Sequence, residues 1–319
     1  MDFLANINDL FIDFNETISL SKGKVDNLRR GRDALRKKIK EWFRDNKKDE
    51  PRFCWQGSFA MKTTVNPIGD GEYDLDDGVY LQEFFDKDMS TWPATSTVHS
   101  WIKSAVKGHT QSDPIDKDTC VRVVYASGYH IDYPIYIKYN NVAYLAHKSK
   151  GWTISDPKAF KEWFVYNVKE EGEQLRRLVK YLKAWKDFKD ISLKGIEITI
   201  LATENFSAYE GRDEKSLYET VQNILATLEN DFVCIKPVAP GEDLFEETSK
   251  TKKDNIINGL KVLKNKLELA INESNPKVAS QYLKEIFGDR FPEGKSIEKS
   301  EDFARTSSPG VLRHDGRSA

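Results

Sequence analysis

The chain has 319 residues, 31% of them charged and 39% hydrophobic, with a formal net charge of −2. Such a composition supports a packed core in one large domain or two smaller ones. It argues against a protein that lives on non-specific nucleic-acid affinity, which calls for a strongly basic surface.

The first twenty residues, MDFLANINDLFIDFNETISL, are amphipathic but acidic, and lack the basic start and apolar run of a signal peptide. Lys22 to Lys48 reads as one long helix. Val25, Leu28, Leu35, Ile39, Trp42 and Phe43 form its apolar stripe, and twelve Lys/Arg against four Asp/Glu make the other face basic. Pro51 ends that region. A short strand follows at Arg52 to Trp55, a turn at Gly57-Ser58, and a helix beginning within Phe59 to Thr63. Tyr73 to Leu81 reads as a strand and Thr97 to Val106 as a helix. Three β-rich runs, Cys120 to Tyr125, Tyr129 to Ile137 and Val142 to Ala146, are separated by the turn pairs Ser127-Gly128 and Asn140-Asn141. The first half is therefore mixed, with an antiparallel or mixed sheet.

Beyond Asp156-Pro157, an N-cap followed by proline at the first helical position, the pattern is helical. Pro157 to Asp190 is long, with a break near Gly172. Ile196 to Phe206, Glu214 to Glu229, Thr251 to Asn272 and Pro276 to Phe287 complete the helices. The resulting organisation is a core with a long N-terminal helix at 1–165, a helical lobe at 166–303, and a tail at 304–319 whose polar, turn-rich composition predicts disorder. Cys54, Cys120 and Cys234 stand far apart with no zinc-type Cys/His spacing. A disulfide framework is not expected, so the reading is cytoplasmic. No stretch approaches the roughly 20 apolar residues that span a bilayer, so no membrane partner is expected either.

The chemistry concentrates in QGSFAMKTTVNPIGDGEYDLDDGVYL, Gln56 to Leu81. On a strand, residues i and i+2 share a face, so Asp74 and Asp76 project together, Glu72 joins them at the start, and Asp77 points the other way. Two adjacent carboxylates repel unless a cation sits between them, and Mg²⁺ is the natural candidate because it takes hard oxygen ligands. A two-metal site generally calls for a third carboxylate from another segment. Asp132, inside the apolar and aromatic run GYHIDYPIYIKY, supplies one, since a charge there needs a partner or a metal. A solvated turn and a water-facing strand are the plain alternatives for these acids. Gly57 and Ser58 add specificity: glycine lets the backbone approach a phosphate, a helix start offers free N–H groups, and Ser58 adds a hydroxyl.

"GSF…EYDLDDGVYL" followed by "HIDYPIY" resembles the polymerase-β-like nucleotidyltransferases, and within them the cGAS/DncV-like bacterial synthases of cyclic oligonucleotides. LRRLVKYLKAWKDF at Leu175 to Phe188, GIEITILATENF at Gly195 to Phe206 and VAPGEDLFEE at Val238 to Glu247 agree. The resemblance implies an α+β fold: a nucleotidyltransferase sheet with flanking helices, a C-terminal helical lobe, and a cleft between the two. It implies Asp74, Asp76 and Asp132 as catalytic ligands of two Mg²⁺ ions, with Mn²⁺ as a substitute. Gln56, Gly57 and Ser58 would contact the nucleotide. Lys180 and Lys183, in a stripe with Arg176 at helical spacing, would meet the triphosphate, as charge compensation requires. Base choice would fall to Gln56, Tyr80 and residues of the helical lobe.

There are departures from the family pattern. The gap from Ser58 to Asp74 is long, and the start of the helix after the basic one reads Lys194-Gly195-Ile196-Glu197, with no serine. No Cys/His insertion builds a zinc thumb, so direct activation by DNA through that route is not expected. The implied activity is NTP-dependent synthesis of a cyclic di- or oligonucleotide second messenger in antiphage signalling. A regulatory or conjugating protein acting on the C-terminal end, Gly316-Arg317-Ser318-Ala319, is the partner some family systems would suggest, against the plain reading of an end with no role. The rival readings are a transferase adding nucleotides to RNA or protein, and a non-catalytic binding protein on the same core.

Overall fold

A computed structural model describes residues 6–69 and 71–296. The expected tail at 304–319 lies outside them, as does Asp70 in the loop before the acidic strand. Helix α1 (Asn8–Ile18) leads into α2 (Lys22–Asp45), whose N-terminus is capped by the Ser21 hydroxyl accepting the Lys24 N–H at 3.3 Å. Then come β1 (Arg52–Gln56), the five-residue helix α3 (Gly57–Met61), β2 (Tyr73–Tyr80) and α4 (Thr95–Val106). The sheet continues with β3 (Ile115–Asp116), β4 (Val121–Tyr125), β5 (Tyr129–Tyr133), β6 (Ile135–Tyr139), β7 (Val142–His147) and β8 (Gly151–Ile154). The helical half holds α5 (Pro157–Glu171), α6 (Glu173–Lys189), α7 (Gly195–Glu204), α8 (Asp213–Asn230), α9 (Lys250–Asn272) and α10 (Pro276–Phe287).

Strand β2 is the spine of the sheet. It pairs antiparallel with β1 on one side and parallel with β5 and β6 on the other. The run read from sequence as one strand, Tyr129 to Ile137, breaks at Pro134, which has no N–H to give to a ladder. Its carbonyl still accepts the Val79 N–H at 2.8 Å, so β2 stays paired across the break. The sheet is mixed, as the first half of the sequence led us to expect.

Two apolar cores flank the site. One joins Leu28, Leu35, Ile39 and Phe43 of α2 with Val98 and Ile102 of α4 and the sheet residues Leu75, Val79, Ile131, Tyr133 and Ile135. The other gathers α5 to α10 and also takes in Ile7, Phe11, Phe14 and Ile18 from the N-terminus. Helix α1, within the 1–165 segment, therefore packs in the helical core, as does α5, which runs across residue 165. Buried Asp213 fastens this arrangement. It accepts from Arg177 at 2.6 Å and from the Tyr181 hydroxyl at 2.9 Å, while its own N–H donates to Asn8 Oδ1 at 2.8 Å. Among the described residues no helix is long and apolar enough to cross a membrane.

Candidate active site

Register decides which acids meet. Asp76 is the Cα partner of Gln56 on β1 and of Asp132 on β5, and Asp74 is the partner of His130. Asp74, Asp76 and Asp132 thus share one face of adjacent parallel strands. Asp77 points through the sheet, as alternation requires, and is met there by the Arg36 guanidinium of α2, whose Nε lies 2.7 Å from Oδ2. The crowded acids of this strand therefore split into two sets with opposite fates. One is neutralised by a helix behind the sheet. The other faces a cleft of about 620 Å³, lined by Gln56, Gly57, Ser58, Glu72, Asp74 and Asp76 on the sheet side.

Burial pushes the Asp76 carboxyl well above its ordinary range, and the charges of Asp74 and Asp132 push it further in the same direction. The acid is thus held where ionisation is costly. Asp132 is gripped by Arg122, its register partner on β4, through Nε–Oδ1 and Nη2–Oδ2 bonds of 2.7 Å each. Glu72, just before β2, is bonded at 2.7 Å to His130 Nδ1. Among the described residues no group of three His, Cys, Asp or Glu side chains stands ready to hold a metal ion. Asp74 and Asp76 face the cleft, while the third carboxylate is engaged by an arginine.

Gly57 is required by geometry. Its φ is +65°, and a Cβ there would fall 2.1 Å from Asp76 Oδ2. Ser58 lines the cleft in the first turn of α3, its hydroxyl 2.8 Å from that of Thr64.

The opposite wall comes from the helical lobe: Lys183, Lys186 and Asp187 of α6, Gly195 and Ile196 at the start of α7, and Lys236. Lys183 Nζ donates to Thr63 Oγ1 at 3.0 Å, and burial lowers its pKa to about 8. Lys180, expected beside it, does not line this cleft. Its ammonium donates to the Ser19 hydroxyl at 2.9 Å, and burial likewise holds it at about 8. Arg176 is drawn to the Met61 carbonyl and to Glu173. The stripe of three cations was real on the helical wheel, but its N-terminal members face α1 and α3. The cleft instead takes Lys183 and Lys186, one turn further on. Tyr80 also misses this lining and stacks on Tyr136 with ring centroids 5.0 Å apart. Lys236 and Arg122 went unnoticed in the sequence. One is a single lysine after α8 with no pattern around it, and the other is defined only by its register with Asp132.

Two family models match the chain: "Cyclic GMP-AMP synthase DncV-like, nucleotidyltransferase domain" over residues 51–136 and "Cyclic GMP-AMP synthase, C-terminal domain" over 172–300. A cyclic GMP-AMP synthase of Escherichia albertii is 28% identical over 216 residues, covering 64% of this chain and 47% of that protein. One from Vibrio cholerae is 26% identical, covering 59% and 56%. A c-di-GMP synthase of Roseivirga ehrenbergii is 23% identical, covering 75% and 69%. The chain thus spans about half the length of the first two relatives. The fold matches Vibrio cholerae DncV in its GTP-bound form with a TM-score of 0.78 at 18% identity, over 90% of this chain and 96% of that one. It matches the same enzyme in complex with the linear intermediate 5′ pppA(3′,5′)pG at 0.76, over 90% and 97%.

Proposed function

Because the chain belongs to the cGAS/DncV-like nucleotidyltransferases, we propose that it joins nucleoside triphosphates into a cyclic di- or oligonucleotide, working in the cytoplasm as the source of an antiphage signal. The observation that carries the reading is the polarity of one cleft. Asp74 and Asp76 line one side, and Lys183, Lys186 and Lys236 the other. Its volume of about 620 Å³ falls within the roughly 300–1,000 Å³ of sites that enclose a ligand. A triphosphate has the complementary charge for the lysines, and a divalent cation for the acids.

The residues fit Mg²⁺ in part. The raised proton affinity of Asp76, caused by burial and then by Asp74 and Asp132, is the signature of a donor set short of positive charge. Asp74 and Asp76 would hold the cation, and Asp132 would join once it leaves Arg122. When bound, Mg²⁺ or Mn²⁺ would supply acidification of a ribose hydroxyl and screening of the phosphates. The chain does the rest. Lys183 and Lys186 offset the triphosphate charge and hold the leaving pyrophosphate. Ser58 offers its hydroxyl to a phosphate oxygen, and Gly57 leaves the Asp76 carboxylate room. The acceptor's ribose hydroxyl gives up its proton to solvent as its oxygen attacks the donor's α-phosphorus, the bond to the bridging oxygen breaks, and pyrophosphate departs with that electron pair. A second such transfer within the linear product closes the ring.

The test is incubation with the four labelled NTPs and Mg²⁺ or Mn²⁺, followed by phosphatase treatment and chromatography. Phosphatase-resistant cyclic species, absent with Asp74→Asn/Asp76→Asn, are expected. Label only on added RNA or protein would favour a polymer-directed transferase instead. No incorporation above that control would favour a binding protein.

A further inference from the structure

Two residues that line the cleft, Gln56 and Tyr136, form with Gly78 a unit that spans β2. Gln56 on β1 is in register with Asp76, and Tyr136 on β6 is in register with Tyr80, so the two flank β2 from opposite sides. Between Asp76 and Tyr80, on the same face, stands Gly78. A Cβ at that position would lie 2.7 Å from Gln56 Oε1 and 3.1 Å from Tyr136 Cε2, too close for both to stay. Because only a hydrogen is there, the Gln56 side chain crosses over the strand and Nε2 donates to the Tyr136 hydroxyl at 2.9 Å. Tyr136 is in turn held by its stack on Tyr80, with an interplanar angle of 19°.

The bond leaves one end of the amide unused. Gln56 and Tyr136 both line the cleft, and they are only 7% and 2% exposed. Gln56 Oε1 meets no donor among the described residues. A buried acceptor without a donor is costly, and a side chain fixed this firmly cannot turn away to find one. No donor for Oε1 is among the described residues, and the atom is closed off in the ligand-free cleft, so a nucleotide donor reaches it as the lining side chains shift around the bound ligand.

We propose that Tyr136 is a positioning residue: it pins the Gln56 amide across Gly78 so that the amide oxygen receives an N–H or O–H of the nucleotide bound in the cleft. The inference rests on the nucleotide reading of that cleft. It assigns the selectivity for a base or sugar edge to the Gln56–Gly78–Tyr136 unit rather than to Gln56 alone. A base that presents a donor at this point is accepted, and one that presents only an acceptor meets a like partner and is refused.

The test measures affinity for the four non-hydrolysable α,β-methylene NTPs in the presence of Mg²⁺ by calorimetry, alongside thermal melting. Tyr136→Phe keeps the ring and its stack and removes only the hydroxyl. It is expected to weaken the preferred nucleotide about 3- to 10-fold, the range for one lost hydrogen bond, and to narrow the spread among the four bases. Gly78→Ala, which pushes Gln56 aside by a different route, is expected to narrow that spread as well. On a Gln56→Ala background, Tyr136→Phe is expected to change nothing further. Equal preferences in wild type and Tyr136→Phe would overturn the proposal, as would an undiminished effect in the absence of Gln56. If wild type binds none of the analogues, the nucleotide reading itself fails, and this outcome is distinct from the other two.

Discussion

Replacing Gly57 with alanine separates two costs that usually come together. Residue 57 sits at φ +65°, and holding a non-glycine residue in that region costs about 1–2 kcal/mol. The new methyl would also stand 2.1 Å from Asp76 Oδ2. Restoring an ordinary carbon–oxygen contact of about 3.2 Å moves the carboxylate by about 1 Å, and a misplacement of that size at a reacting centre costs about 100-fold in rate. Gly128, in the turn between β4 and β5, provides the control. Its φ is +76°, yet a Cβ there meets nothing within 4 Å. Gly128→Ala therefore carries backbone strain without the contact. Both variants are expected to melt a few degrees lower, at about 2–4 °C per kcal/mol. Only Gly57→Ala is expected to lose about 100-fold in kcat/KM, followed by pyrophosphate release from NTPs. If the two variants keep the same activity, or if Gly57→Ala stays within about threefold of wild type, Asp76 is not the group that the turn protects.

Asp76→Asn keeps the shape of the side chain and removes a buried charge that Asp74 and Asp132 oppose, so the ligand-free protein is expected to melt higher while turnover is lost; a lower melting temperature would contradict the crowding argument. Lys183 titrates near 8, below its usual 10.5, so its positive charge is lost as pH rises through 8. Triphosphate affinity is expected to fall above that pH in wild type and to be flat there in Lys183→Met. The stability sign is opposite: between pH 8 and 10.5 the unfolded state binds the extra proton, so this group's contribution to ligand-free stability rises with pH. Asp213→Ala leaves Arg177 and Tyr181 without their shared acceptor and is expected to cost about 3–5 kcal/mol in a denaturant titration.

What the sequence made legible follows from which interactions are local. The period of two places Asp74 and Asp76 together and sends Asp77 away, and a helical stripe announces α2 and α6. Asp132 stood out because a charge inside Ile131-Asp132-Tyr133 needs a reason. The limits follow from the same logic. Lys180 and Lys183 look equivalent on α6, and only the neighbours that the fold supplies, Ser19 for one and Thr63 for the other, distinguish them. Arg122 is an ordinary strand residue until its register with Asp132 is known. The Gln56–Tyr136 bond joins residues 80 apart in sequence and depends on a missing side chain at Gly78, a signal that reads as a weakened strand when seen alone. Helix α1 is legible in the amphipathic spacing of Ile7, Phe11, Phe14 and Ile18, but its packing partner is a non-local fact of the fold.

The most direct test of the account is a crystal structure of the chain with Mg²⁺ and a non-hydrolysable NTP. Triphosphate density is expected beside Lys183 and Ser58, cation density at Asp74 and Asp76, and Asp132 released from Arg122 toward the cation. A nucleotide bound elsewhere, with this cleft empty and the Asp132–Arg122 pair intact, would contradict this expectation.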